Sequence, residues 1–221
     1  VADRAYVLET GREVTEVPTI FLRLADSQVA HGQDIMRPPE SHRLDYEAEI
    51  AGIIGQGGRR IQEEDAWDHS AGYSCYNDGS VRDWQIATSQ WTPGKNFYRT
   101  GGFGPWMVTS DEIAPGQVMH MQTILNGQVL QDTTTDKMIH SIPRQIAYIS
   151  SFIPLSPGDV IVTGTPGGVG NKRSPLAKVH SYGTQDGELA GSADVHQQWQ
   201  ALGRGLQGLS LCEHVAADRA H

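Results

Sequence analysis

The sequence has only two cysteines, Cys75 and Cys212, which are too few for a disulfide framework or a cysteine-ligated zinc site. It also lacks an apolar run long enough to cross a membrane, and its first residues contain no signal-peptide core. Lysine and arginine number 17 against 26 acidic residues and form no basic run, which argues against a nucleic-acid partner. Together these absences predict a cytoplasmic protein that binds neither membranes nor nucleic acids.

Glycine and proline, by contrast, are plentiful. The 25 Gly and 11 Pro among 221 residues predict many turns and argue against an all-helical fold. With 38% hydrophobic residues, the chain is long enough for one large, β-rich domain with its own core. Residue patterns predict a loop at 27–39, helices at 1–13, 63–76 and 142–153, and strands at 17–23, 44–55, 118–125, 128–131 and 160–163.

The predicted strand at residues 44–55, LDYEAEIAGIIG, carries an unusual number of acids. Its alternation places Asp45, Glu47 and Glu49 on one face, about 7 Å apart along the strand, where like charges repel and burial adds to the cost. A divalent cation with oxygen ligands would relieve this repulsion. A solvent-facing strand edge with hydrated acids is the alternative, and this stretch alone leaves both open.

Three other features are only weakly informative when each is taken alone. Asp78, in the turn Asn-Asp-Gly-Ser, is either a functional side chain or an acid satisfied by nearby backbone N–H groups. Lys95 lies in a Gly- and Pro-rich loop, where a lysine is usually a solvated charge. The loop at residues 164–170, GTPGGVG, lacks the spacing of nucleotide-binding loops, so it favours close backbone approach to a small ligand.

Six segments taken in order carry a family resemblance: LDYEAEIAGIIG, GYSCYNDGSVRDWQ, GKNF, GPWMVTSDEI, LNGQVLQ and YISSFIPLSPGDVIVTGTPGGVG. Over residues 13–173 the sequence resembles the fumarylacetoacetate hydrolase family. This resemblance implies an α+β, mostly β fold, a mixed β-roll with short helices, assembled as a homodimer or higher homo-oligomer. It also implies a small-molecule 2-oxo or 2,4-dioxo acid as the partner.

The same resemblance implies a set of site residues. Mg²⁺ or Mn²⁺ would be held by Glu47, Glu49 and Asp78, with Asp45 as structural support. The other implied residues are the active-site lysine Lys95, the lid glutamate Glu9, and the substrate contacts Arg82, Gln85, Gly164 and Thr165.

One departure from the family pattern lies at the start of the chain. Relatives carry an NY-x-x-H-x-x-E segment in which a histidine, oriented by the glutamate, activates water from a lid. Aligned on residues 2–9, this segment places Glu9 at the glutamate but Tyr6 at the histidine. Tyrosine, with an unperturbed pKa of about 10, is a poor base at neutral pH. Hydrolysis is therefore disfavoured relative to decarboxylation or tautomerisation.

A second departure follows residue 173. Residues 174–221 show no further strand pattern to close the roll, so we predict a catalytic domain at 1–173, shortened at its N-terminus, and an atypical, loosely ordered tail at 174–221. With both ends altered, a truncated or frame-shifted gene product is one hypothesis.

Three functions remain open at this point. The first is a metal-dependent hydrolase that cleaves a C–C bond in a 2,4-dioxo acid, such as an acylpyruvate, fumarylacetoacetate or fumarylpyruvate, in the catabolism of aromatic compounds. The second is a decarboxylase or isomerase of a 2-oxo dicarboxylate at the same metal site. The third is a degenerate, non-catalytic member of the family. Tyr6 favours the second, the frequency of activities within the family favours the first, and the first is the predicted function.

Overall fold

A computed structural model of the chain describes residues 4–11, 13–173, 193–201 and 209–217. The helices are α1 (Arg4–Thr10), α2 (Arg82–Gln85), α3 (Thr92–Lys95) and α4 (Ile142–Phe152). The strands are β1 (Gln28–Ala30), β2 (Ile35–Arg37), β3 (Leu44–Asp45), β4 (Ala48–Ile54), β5 (Ser70–Asp78), β6 (Ser80–Val81), β7 (Gly101–Thr109), β8 (Met119–Leu125), β9 (Gln128–Thr134), β10 (Val160–Val162), β11 (Ala193–Ala201) and β12 (Leu209–Ala217). None of the helices in these ranges is long and apolar enough to cross a membrane.

Two five-stranded sheets form the body of the fold. The first has the order β1-β7-β5-β4-β10 and the second the order β2-β12-β11-β8-β9, while β3 and β6 form a separate pair. Each large sheet is mixed, because β1 pairs with β7 and β12 pairs with β2 in parallel, whereas the other pairs are antiparallel. This arrangement, with few short helices, confirms the predicted α+β, mostly β class.

Several elements match the sequence pattern closely. Asn126 and Gly127 both have positive φ, at 50° and 77°, as a two-residue hairpin between β8 and β9 requires. Ser141 caps the N-terminus of helix α4, and its side chain accepts a hydrogen bond from the Arg144 amide. Its inner face buries Ile142 and Ile146 in the main core, beside residues of β4, β5 and β8.

Four local predictions are wrong. The predicted helix at 63–76 is a short 3₁₀ turn, Glu63–His69, followed by β5, because pairing with β4 and β7 in the centre of the sheet overrides helical spacing. The predicted strand at 17–23 pairs with no strand in the described ranges, and the predicted loop at 27–39 contains β1 and β2. The expectation of no strand after residue 173 also fails, since β11 pairs with β8 and β12.

Strand β11 covers an edge of β8 that would otherwise be open to pairing with another chain, and β12 joins β11 to β2. Backbone pairing needs no strong apolar pattern, which is why the composition of the segment concealed the strands. The prediction of a loosely ordered tail at residues 174–192, 202–208 and 218–221 lies outside the described residues. The domain boundary at residue 173 stays a prediction.

Candidate active site

Three buried carboxylates meet where β4 and β5 lie side by side. Glu47 precedes β4, Glu49 belongs to it, and Asp78 ends β5. The Asp78 amide donates to the Glu47 carbonyl oxygen at 2.9 Å, so the backbone itself fixes the spacing of these two acids. The three side chains are at most 4% exposed, and each offers an oxygen within 4.8 Å of the others. The solvated-edge alternative for this strand is therefore wrong.

Lys95 lies against this cluster rather than in solvent. Its residue is 1% exposed, and its Nζ donates to Glu47 Oε2 at 2.7 Å and to Asp78 Oδ2 at 2.5 Å. The Phe21 ring covers the ammonium, with 4.9 Å from Nζ to the ring centroid. Gly94 permits this placement, because a Cβ there would overlap the Gln85 backbone and push α3 away from α2.

The other oxygen of each carboxylate is held from outside the cluster. Arg82 Nη1 donates to Glu47 Oε1 at 2.5 Å, and Arg23 Nη1 donates to Asp78 Oδ1 at 2.8 Å. The Gly164 amide donates to Glu49 Oε2. Each acid thus has one oxygen fixed by a donor from outside the cluster, in addition to the Lys95 contacts of Glu47 and Asp78, which restricts how the carboxylate can turn.

Asp45 ties the glycine-rich loop to the acidic strand. It is 1% exposed and accepts hydrogen bonds from Arg82 Nε at 2.8 Å and from the amides of Gly170 at 2.9 Å and Asn171 at 3.0 Å. These contacts agree with the expected structural support from this acid.

The charges of the cluster shift its protonation equilibria. Burial alone would raise the pKa of Glu47, but the adjacent Arg82 and Lys95 outweigh it and hold that pKa at about 2. Burial and the neighbouring Asp78 and Glu47 carboxylates raise the pKa of Glu49 well above its usual value. Burial lowers the pKa of Lys95, but Asp78 and Glu47 reverse the effect and raise it. The lysine is therefore an ammonium.

Gln131, in β9, connects the acidic strand to the glycine-rich loop. Its Oε1 accepts from the Ala48 amide at 3.0 Å and from Thr123 Oγ1 at 2.8 Å. Its Nε2 donates to Thr165 Oγ1 at 2.9 Å and to the Pro166 carbonyl oxygen at 3.0 Å. The two acceptor bonds fix which way the amide points, and the residue is 1% exposed.

Helix α1 packs on the same loop. Glu9 Oε2 accepts from the Gly168 amide at 2.7 Å, and a Cβ on Gly167 would meet Ala5 at 3.1 Å. Tyr6, on this helix, is 5% exposed. Glu9 is thus engaged in holding α1 to the loop.

Several known proteins resemble this chain in sequence. The sequence model described as "Fumarylacetoacetate (FAA) hydrolase C-terminal" matches residues 2–194. The chain belongs to the fumarylacetoacetate hydrolase family. It is 41% identical over 172 residues to "Oxaloacetate tautomerase fahd2, mitochondrial" of Xenopus laevis, and this alignment covers 77% of the chain and 54% of that relative. It is 39% identical over 169 residues to "Oxaloacetate tautomerase FAHD2A, mitochondrial" of Homo sapiens, covering 76% and 54%. The chain spans about half the length of these curated relatives.

Solved structures of fumarylacetoacetate hydrolase family members resemble the whole fold. 5-Carboxymethyl-2-hydroxymuconate delta-isomerase from Mycobacterium smegmatis superposes with a TM-score of 0.80 at 28% identity, covering 100% of this chain and 77% of that one. Fumarylpyruvate hydrolase from Pseudomonas aeruginosa, in complex with Mn²⁺ and pyruvate, gives a TM-score of 0.80 at 26% identity, covering 98% and 87%. These matches confirm the predicted family fold.

Most of the residues implied by the family resemblance lie together. The carboxylates Glu47, Glu49 and Asp78 form the cluster, and Lys95 lies against it. Gly164 contacts the cluster through its amide. Arg82 lies behind the cluster, where it also donates to Gln85 Oε1 at 2.9 Å. Thr165 is linked through Gln131 to the Ala48 amide, between Glu47 and Glu49, and Glu9 lies at Gly168. The roles of these residues stay predictions.

Sequence reasoning missed three contributors, Phe21, Arg23 and Gln131. Phe21 and Arg23 alternate in a segment that was predicted as an ordinary strand, and alternation does not say what a side chain faces. Gln131 carried a usable signal, since LNGQVLQ places a polar residue at an inward position of a returning strand. No partner for it could be named from the sequence.

Proposed function

We propose that this chain interconverts the keto and enol forms of a 2-oxo dicarboxylate such as oxaloacetate, as a metal-dependent tautomerase. One observation carries the proposal: a fully buried ammonium, Lys95, lies directly on two members of a three-carboxylate cluster. Such a group can move a proton within a site that excludes water. The names of the relatives, oxaloacetate tautomerases, support the same reaction.

The donor set fits a hard divalent cation. Glu47, Glu49 and Asp78 offer only carboxylate oxygens, the ligands that Mg²⁺ and Mn²⁺ accept, and the inner oxygens of Glu47 and Asp78 already attract the Lys95 ammonium. These three residues would hold the ion. When bound, it would supply Lewis acidity to the oxygens of a 2-oxo acid. The Mn²⁺ in the fumarylpyruvate hydrolase structure supports this assignment, whereas the choice between Mg²⁺ and Mn²⁺ stays open to experiment.

Tautomerisation moves one proton between a carbon and the neighbouring carbonyl oxygen, and it breaks no bond between heavy atoms. Lys95 Nζ delivers the proton to the carbon of the enol and accepts the proton that the enol oxygen releases, so the enzyme ends unchanged. The Phe21 ring and the surrounding carboxylates confine that nitrogen. No step requires an activated water.

The glycine-rich loop provides the contacts for the substrate carboxylate. Gln131 donates to Thr165 Oγ1, so the hydroxyl proton of Thr165 is left to donate to an anionic substrate. Gly164 brings the loop against Glu49, which sets this donor close to the cluster. Arg82 and Gln85 act from behind Glu47 by orienting it.

Hydrolysis of a C–C bond in a fumarylpyruvate-like acid is the second candidate, because a fumarylpyruvate hydrolase shares the fold and Glu9 lies at the loop. Tyr6 weakens this candidate, since a phenol is a poor base for water at neutral pH. A role in aromatic catabolism would accompany the hydrolase activity, and decarboxylation of a 2-oxo dicarboxylate is an alternative to tautomerisation at the same metal site. The homodimer and the cytoplasm stay predictions, and the names of the relatives above point instead to mitochondria.

The decisive assay follows the ultraviolet absorbance of enol-oxaloacetate as it ketonises, with Mg²⁺ or Mn²⁺ and after chelation. Parallel reactions measure loss of fumarylpyruvate and acetylpyruvate, and pyruvate formation from oxaloacetate reports decarboxylation. We expect metal-dependent ketonisation that Lys95→Met abolishes and the surface variant Lys172→Met retains. Faster turnover of the dioxo acids would favour the hydrolase, and no turnover of any substrate would favour the degenerate member.

A further inference from the structure

Residues 21–24, here called the arm, lie over the cluster without joining either sheet. The arm alternates like a strand: Phe21 covers the Lys95 ammonium and Arg23 reaches Asp78, while Leu22 and Leu24 are 72% and 57% exposed. Lys95 and Asp78 are hydrogen-bonded to each other, and the two inward side chains of the arm contact one of them each.

Asn96 fastens the arm by its side chain. Its Nδ2 donates to the Leu22 carbonyl oxygen at 2.9 Å, and its Oδ1 accepts from the Leu24 amide at 2.6 Å. The amide thereby replaces the backbone of a neighbouring strand. Because Asn96 directly follows Lys95, the position of the arm is tied to the position of the lysine.

Arg23 spreads its guanidinium over several acceptors. Nη1 donates to Asp78 Oδ1 at 2.8 Å and to the Gly79 carbonyl oxygen at 3.0 Å, and Nη2 donates to Thr100 Oγ1 at 3.3 Å. Its side chain is 8% exposed. Gly101 makes the room, because a Cβ there would overlap the guanidinium. This is a fitted ion pair rather than a surface contact.

We propose that Arg23 is a positioning residue that holds Asp78 with Oδ2 toward the metal site, and that Asn96 keeps Arg23 in place. The inference rests on the proposed function in one respect, that Asp78 is a metal ligand. Nη1 of Arg23 joins Asp78 Oδ1 to the Gly79 carbonyl oxygen while Nη2 donates to Thr100 Oγ1, so the rigid guanidinium fixes the position of Oδ1. Without it, Lys95 alone holds the Asp78 carboxylate, through Oδ2, and Oδ1 loses its donor.

Two effects of losing Arg23 oppose each other. Its positive charge repels a cation, so removing the charge alone would tighten metal binding. Loss of an outer partner that orients a ligand typically weakens metal binding about 10–100-fold. We expect orientation to win, because Arg23 contacts the outer oxygen Oδ1, so its charge lies farther from the proposed ion than the carboxylate that it orients.

The test is a titration of the full chain with Mn²⁺, in which electron paramagnetic resonance measures the free ion. We expect the Mn²⁺ dissociation constant to rise about 10–100-fold in Arg23→Met. Arg23→Lys keeps the charge but not the second nitrogen that contacts Thr100, and we expect at least about a threefold rise from it. Asn96→Ala leaves Arg23 present but frees the arm, and a rise of at least about threefold is expected there too. Arg144→Met, an exposed arginine of α4, is the matched control and should bind like wild type.

An unchanged or tighter Mn²⁺ affinity in Arg23→Met would overturn the inference, and so would an Arg23→Lys variant that matches wild type. If Arg23→Met fails to fold by circular dichroism, the Arg23→Lys and Asn96→Ala titrations decide. Failure of the proposed reaction is separate, since a wild-type chain that binds Mn²⁺ without turnover leaves the titrations intact. Turnover with unaltered Mn²⁺ binding in the variants would reject only the role of Arg23.

Discussion

Replacing Gln131 by methionine should destabilise the fold and loosen the site together. Methionine has a similar length but makes none of the four hydrogen bonds of the amide. The two hydroxyl partners, on Thr123 and Thr165, can rotate, so we count no cost for them. The Ala48 amide and the Pro166 carbonyl cannot, and each unpaired buried group costs about 1–3 kcal/mol.

Allowing about 1 kcal/mol for the apolar surface that methionine buries, the net loss is about 3 kcal/mol. In a domain of this size that free energy lowers the melting temperature by about 6–12 °C. The measurement is thermal unfolding followed by circular dichroism. Gln128→Met, an exposed residue of the same strand, is the matched control and should change the melting temperature little.

A double-mutant cycle then isolates the contact with Thr165. If Gln131 acts through that hydroxyl, the losses from Gln131→Met and Thr165→Val should be less than additive, by about 1 kcal/mol. A melting temperature within about 3 °C of wild type for Gln131→Met would refute the reasoning that these hydrogen bonds are buried and unreplaced. Strict additivity would refute the coupling to Thr165.

Three further predictions concern the cluster and the helix that packs near it. Glu49→Gln removes one carboxylate ligand while keeping its size, and it should weaken Mn²⁺ binding at least about tenfold in the same titration; unchanged affinity would exclude Glu49 as a ligand. Lys95→Met should lower the rate of ketonisation by about 10²–10⁴-fold while Mn²⁺ still binds, because the lysine is proposed to carry a proton rather than the ion. A variant that loses metal binding as well would contradict that division of roles. Tyr6→His should raise hydrolysis of acylpyruvates relative to wild type, and no increase would show that the argument from the lid base is wrong.

The acidic strand was predictable because alternation alone places Glu47 and Glu49 on one face. The hairpin at Asn126 and Gly127 and helix α4 were predictable for the same reason, since local geometry dictates them. Lys95 was different: a lysine in a loop is ordinarily solvated, and only its position beneath Phe21 and between two acids shows that it is buried. The family resemblance, not local pattern, brought it into the predicted site.

The errors share a physical cause. Residues 63–76 carry apolar side chains at helical spacing, yet β5 occupies the centre of a sheet, where pairing on both edges decides the conformation. The arm at residues 21–24 has the pattern of a strand but finds its hydrogen bonds on the side chain of Asn96. No periodicity in the sequence records a partner that is 72 residues away.

The net charge of the site determines the order in which metal and substrate bind. Asp45, Glu47, Glu49 and Asp78 supply four carboxylates, whereas Arg23, Arg82 and Lys95 supply three cations. With all groups ionised, one negative charge is left in a buried space, and a proton on Glu49, whose pKa is raised, leaves none; the protein as a whole has a net charge of -9. The metal-free site therefore offers an acidic substrate no net attraction, and a bound divalent cation, with all four carboxylates ionised, gives the site a net charge of plus one. Binding of pyruvate should therefore require prior Mn²⁺, and equal affinity of pyruvate for the metal-free chain would contradict this order.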